Sequence, residues 1–203
     1  MTNYALPLGV FFAGLFLIVG SRGGAGEGRL TLEDVRSLAI QHISKLPKGS
    51  MIVFDFDGTL FDPRTVVDHV YGGNREFWSG DRKALPLYKP IVQICDILRY
   101  AAAAGMYITL ITARKDTIAT KQIILQNFKK QKMVLHEYHA NNGEPSNKKK
   151  FKARLRKNIE AFRPIGLTVG DQWGDVQDTR GSTSTPFIKL PNAKEPILLT
   201  SLK

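Results

Sequence analysis

The chain has 203 residues, 43% of them hydrophobic and 23% charged, which suits one globular domain with a short extension and excludes disorder throughout. Its formal net charge of +11 favours anionic partners such as nucleotides, nucleic acid, acidic proteins or lipid headgroups, without choosing among them. A single cysteine, Cys95, excludes an internal disulfide and a Cys-rich zinc site, and its apolar helical setting reads as a core thiol.

Residues 1–21 carry no charged side chain, and 5–20 are almost wholly apolar. A helix over 5–20 spans about 24 Å, short of a ~30 Å hydrocarbon core, and extending it from Asn3 to Ser21 narrows the gap. The expectation is a retained N-terminal membrane anchor. A cleaved signal segment and a buried apolar helix are the alternatives, because a basic n-region is missing and the small-residue site near Val19–Ser21 is weak. Arg22 and Arg29 leave the side of the membrane open. Residues 22–30 read as a flexible Gly-rich linker, and 31–203 as the folded domain.

Thr31 with Asp34 is a variant capping box, opening a helix with an apolar stripe over Leu32, Val35, Leu38, Ala39, Ile43 and Leu46. His42 is expected on the exposed or half-buried face of that helix. Met51–Phe54 reads as a buried strand. About 61–88, interrupted by Gly and Pro, reads as a small cap of short helices and loops. A helix is predicted from Ile91 to Ala104, a strand over Tyr107–Ile111, and a helix from Asp116 or Thr117 to about Phe128. Met133–Leu135 is the predicted third strand, and a basic helix should run from about Lys149 to Phe162. Ile165–Val169 and Phe187–Leu190 complete the strands. Strands alternating with such helices predict an α/β fold with a mainly parallel sheet, in which ligands bind beyond the carboxyl ends of the strands.

Chemistry gathers at those ends. The first strand runs into Asp55 and Asp57, followed by Gly58-Thr59; a buried strand tolerates paired acids there when a cation lies between them. The second delivers Thr112 at a turn, with Ala113 and Arg114 after it. The fourth delivers Asp171 and Asp175 in Gly-Asp-Gln-Trp-Gly-Asp, and the preceding helix carries Lys148, Lys149, Lys150 and Lys152. The four histidines show no metal-ligand spacing.

The segment Asp55-Phe-Asp-Gly-Thr resembles the first signature of the haloacid dehalogenase (HAD) superfamily, and Thr112, the lysines and the Asp171–Asp175 pair follow in the order of its other three signatures. Phe151-Lys152-x-x-x-Arg156, Gly170–Asp175 and the run Phe187, Lys189, Leu190, Pro191, Asn192 resemble the class B and plant vegetative-storage acid phosphatase branch, subfamily IIIB. The resemblance implies a HAD-type Rossmann-like fold and Mg²⁺-dependent phosphomonoester hydrolysis through an aspartyl-phosphate. It makes Asp55 the nucleophile and Asp57 the general acid and base. Asp55, Asp171 and the Asp57 carbonyl become metal ligands, with Asp175 supporting through water. Thr112 and the Ala113 amide hold phosphate, and Lys152, ahead of Lys148, Lys149 and Lys150, supplies positive charge.

The expected substrate is a small phosphomonoester or nucleotide. Two rivals remain at this stage: a polynucleotide 3′-phosphatase, in which the basic stretch 129–157 holds nucleic acid, and a catalytically idle, membrane-tethered binding module. Asp175 as a helix-terminal residue and Trp173 as a packing residue are the plainer readings of those side chains.

Overall fold

The structure, a computed structural model, describes residues 30–62, 87–142, 148–177, 185–191 and 198–199. The proposed anchor and linker, most of the cap stretch and Asn192 lie outside these. Among the described residues no helix is long and apolar enough to cross a membrane.

Helix α1 spans Leu32–Ile43. Thr31 Oγ1 accepts from the Asp34 amide at 3.2 Å, and the Asp34 carboxylate accepts from the Thr31 amide at 2.8 Å. Strand β1 (Met51–Phe54) follows, then β2 (Phe61–Asp62) and β3 (Lys89–Pro90), which pair antiparallel and bring the two ends of the cap stretch together. Next come α2 (Val92–Ala103), β4 (Tyr107–Lys115), α3 (Ile118–Lys130, with Thr117 as N-cap) and β5 (Glu137–Asn141). The chain continues through α4 (Lys148–Glu160), β6 (Ile165–Gly170), α5 (Trp173–Val176), β7 (Phe187–Lys189) and β8 (Leu198–Leu199).

The main sheet has the order β5-β4-β1-β6-β7-β8. All its pairs are parallel except β7–β8. Alternation sends Ile52, Phe54, Ile108, Leu110, Leu167 and Val169 to one side, where they form a single large core with α1, α2 and α3. Met51, Val53, Ile111 and Ile165 face the other side and meet Phe151, Leu155 and Ile159 of α4 in a much smaller cluster. Each fully buried Leu, Ile or Phe contributes about 1.5–3 kcal/mol, so the three-helix side carries most of the hydrophobic stabilisation. Cys95 lies in that core, and burial pushes its thiol up to about 11.

Two sequence expectations need correction. The third strand is Glu137–Asn141, not Met133–Leu135. Met133 and Leu135 are apolar because they pack on the large core as the chain leaves α3. The true strand is an edge bonded only to β4 and half-buried along its length, so it has no apolar run to read. His42 is not on an exposed face: it is 7% exposed and its Nε2 donates to the Gly166 carbonyl at 2.9 Å. Sequence periodicity cannot see a single long-range bond that lets a polar ring enter a core.

That bond sets one end of α1, and near the other end Arg36 lies 3.4 Å from Asp96 in the first turns of α2. The helix ends beside the start of β6, and its 12 residues rise about 18 Å. It therefore begins at the carboxyl end of the sheet.

Candidate active site

The central strand β1 leaves its ladder at Asp55, whose amide still donates to Val169 O at 3.0 Å. A tight turn follows, with the Gly58 amide donating to Phe61 O at 2.8 Å. Gly58 has φ +74°, and a Cβ there would sit 2.7 Å from Asp171 Oδ2. The turn thus requires glycine twice, for its left-handed backbone and for the carboxylate pressed against it. Asp55 is 6% exposed, while Asp57 is partly open.

Beside β1, strand β4 runs on to Lys115, further than the predicted Ile111. Its pairing with β5 jumps from Ile111↔His139 to Lys115↔Asn141, so the backbone bows out over Thr112–Arg114. Thr112 sits inside the strand at this bow, fully buried, and its Oγ1 accepts from the Arg114 amide at 3.3 Å. Ala113 is half-buried beside it.

Arg114 had no role assigned from sequence. Its Nε and Nη2 donate to the two Asp57 oxygens at 2.8 and 2.6 Å, and Nη2 also donates to Tyr88 Oη at 3.0 Å. The guanidinium lies over the Phe56 and Tyr88 rings at 5.3 and 5.2 Å from their centroids. Burial works against this cation, but Asp57 outweighs it and holds Arg114 above its ordinary value. The available signal was its place two residues after Thr112; its partner is far away along the chain.

On the other side of β1, β6 ends at Gly170 and Asp171 follows. Helix α5 then places Asp175 so that its Oδ2 accepts from the Gln172 amide at 2.8 Å. Its Oδ1 accepts from Lys152 Nζ at 2.5 Å, and the same ammonium donates to Asp55 Oδ1 at 2.7 Å. Lys152 is 5% exposed, so among the four candidate lysines it is the one brought to the acids. Lys148 and Lys150 are exposed and Lys149 half-buried. Asp175 is thus both a helix-terminal residue and a member of the acid cluster. Trp173 is 36% exposed, packs edge-on to Phe187 at 6.2 Å, and has Lys189 Nζ 5.6 Å from its ring centre. His136 accepts from the Ile108 amide at 2.9 Å and His139 lies 2.9 Å from Glu137, and among the described residues neither joins a metal-binding group.

Carboxylate oxygens of Asp55, Asp171 and Asp175 all lie within 4.8 Å of one another. Burial raises Asp55 well above the usual carboxylate range, opposed by Lys152 and reinforced by the neighbouring acids. Burial and Asp175 raise Asp171. Lys152 is held protonated: burial disfavours its charge, but Asp175 and Asp55 outweigh that. One ammonium serves two carboxylates here, so the cluster lacks positive charge. Clustered hard oxygens with that deficit fit a small divalent cation such as Mg²⁺, with Asp55 and Asp171 the side chains best placed to hold it. The Asp57 carboxylate is turned away to Arg114, so Asp57 has only its backbone to offer.

Acids at the end of a central parallel strand, a buried lysine from the crossover helix and further acids beyond the next strand thus gather at one edge of the sheet. The chain belongs to the HAD superfamily, subfamily IIIB (acid phosphatase), whose family model matches residues 26–195. Comparison with curated proteins gives no match. Among solved structures it is similar to a chain of the Pnkp1/Rnl/Hen1 complex, at 14% identity and TM-score 0.51, covering 74% of this chain and 48% of that one. A chain of the Pnkp1/Rnl/Hen1 RNA repair complex gives 16% identity and TM-score 0.55, covering 74% and 44%. This chain spans less than half of either, and at such identities the likeness is one of fold.

Proposed function

We propose that the protein is a Mg²⁺-dependent phosphomonoesterase that works through an aspartyl-phosphate on Asp55. The observation that carries this reading is the meeting of Asp55, Lys152, Asp171 and Asp175 at the end of β1. Asp55 is the nucleophile: its carboxylate oxygen bonds to phosphorus as the bond to the leaving oxygen breaks. Bound Mg²⁺ supplies charge neutralisation on the phosphoryl oxygens. Lys152 orients the nucleophile and adds positive charge beside it. Thr112 and the Ala113 amide receive the phosphoryl oxygens at the bow in β4.

Asp57 gives a proton to the leaving oxygen, then takes one from the water that attacks phosphorus and frees Asp55. Both Asp57 oxygens accept from Arg114 in the structure, so donation follows release of that fork. A phosphoryl group bound at Thr112–Arg114 offers the guanidinium another partner.

The substrate in this reading is a small phosphomonoester or nucleotide. The test is hydrolysis of p-nitrophenyl phosphate by the full chain, in Mg²⁺ and in EDTA, with Asp55→Asn alongside. Turnover that needs metal and disappears in the variant supports the reading; equal turnover in EDTA or in the variant overturns it.

A polynucleotide 3′-phosphatase remains as a second reading, supported by the outward cations Lys148, Lys150, Arg154 and Lys157 of α4. Oligonucleotide dephosphorylation falling steeply between 50 and 200 mM salt, with small-ester turnover unchanged, supports it. Membership of a phosphatase family weighs against the idle binding module. Anchoring by residues 1–21 belongs to the same proposal. Retention in the membrane pellet after a carbonate wash, lost when 1–21 are removed, is its test.

A further inference from the structure

Arg156 lies four residues after Lys152, on the same face of α4. It is 8% exposed and takes no part in the chemistry above. Its Nη1 donates to Gly174 O at 2.9 Å and to Asp175 O at 2.7 Å, and its Nη2 donates to Gln177 O. One guanidinium thus gathers the carbonyls of a four-residue helix too short to order itself. The same helix meets α4 at close range from the other end: a Cβ on Gly174 would lie 3.0 Å from Lys149 Cα. Helix α4 therefore holds the loop carrying Asp171 and Asp175 at two points, the Asp175 carboxylate through Lys152 and the main chain through Arg156.

We infer that Arg156 is a positioning residue for the metal site, acting by fixing the Asp171–Asp175 turn against α4. The inference rests on the metal reading given above. Three acids converge to within 4.8 Å against their mutual repulsion. The bonds that hold the turn run from Lys152 to the Asp175 carboxylate, from the Gln172 amide to Asp175 Oδ2, from the Gln172 side chain to Asp171 Oδ2 at 2.8 Å, and from Arg156 to the main-chain carbonyls. A lysine at 156 keeps the charge but loses the planar fork that reaches several carbonyls at once. Outer partners of metal ligands typically change metal affinity by about 10–100-fold.

The experiment is direct Mn²⁺ binding to the full chain, read from the spin-resonance signal of free Mn²⁺, for the wild type, Arg156→Lys, Gly174→Ala and Asp171→Asn. Thermal unfolding in EDTA verifies that each is folded. Mn²⁺ Kd is expected to rise about 10–100-fold in Arg156→Lys and to rise in Gly174→Ala, which loosens the same contact without touching charge. The Mg²⁺ needed for half-maximal turnover should shift with it, while kcat at saturating Mg²⁺ stays within about threefold of the wild type. A merely structural role lowers the unfolding midpoint and leaves Kd alone. Unchanged Kd in folded Arg156→Lys and Gly174→Ala overturns the inference. No Mn²⁺ binding by the wild type, or undiminished binding by Asp171→Asn, overturns the metal reading beneath it.

Discussion

The two faces of the sheet are built from different materials. Under α1, α2 and α3 the contacts are overwhelmingly apolar, and the buried polar side chains His42 and Asn127 bond backbone groups. Under α4 and α5 a small apolar cluster shares the space with Lys152, Arg156 and Asp175. On that side the sheet also turns Thr109 and Thr168 inward across Val53, with hydroxyls that find no partner among the described residues. The difference teaches where each kind of energy sits. Burial by area is non-directional and tolerates volume-conserving exchange, whereas a shared ammonium works only at one geometry.

The sharpest way to break the comparison is at Asp55. Asp55→Asn should lower turnover by roughly 10⁴-fold or more yet leave the unfolding midpoint in EDTA no lower than the wild type's. The sign follows from its raised pKa: the folded state resists this ionisation, so at neutral pH the charge costs stability and a neutral isostere removes that cost. A large fall in midpoint would show that the site holds the fold together.

Next is Lys152→Met, which strands two buried carboxylates. Stability in EDTA should drop by about 3–5 kcal/mol, with Mg²⁺ recovering part of it, and turnover should fall about 10²–10³-fold. Thermal melts with and without metal make the measurement. Leu98→Ala is the counterpart on the opposite face. It should cost about 2–5 kcal/mol by denaturant titration, with kcat per folded molecule unchanged within about twofold.

The smallest effect concerns Cys95, whose thiol is raised to about 11 from 9.0. As pH rises above 9, the unfolded chain releases a proton that the folded core retains. The wild type should therefore lose about 1–2 kcal/mol between pH 9 and 11 relative to Cys95→Ala, seen as a difference in melting slope with pH. Parallel slopes would mean that the core admits the thiolate.

What could be read from sequence divides along the same line. The acids at strand ends, the Thr31–Asp34 cap and the choice of Lys152 all rest on local order: a period, a cap spacing, a motif in sequence. The Asp57–Arg114 fork, the His42–Gly166 bond and the Arg156 clasp join residues that only folding brings together, and none of these pairings is written in a local spacing. Edge strand β5 escaped for a related reason. Half-buried and paired on one side, it needs no apolar alternation, while Met133 and Leu135 imitate a strand by packing beneath a helix end.

The direction of α1 has a consequence for supply. Because that helix starts at the carboxyl end of the sheet, a chain joined before it arrives on the side where the acids open. Nine residues such as 22–30 can span at most about 30 Å. Were residues 1–21 held at a membrane, as proposed, the acid cluster would stand within that distance of it, and phosphate groups there would meet the site at a raised local concentration.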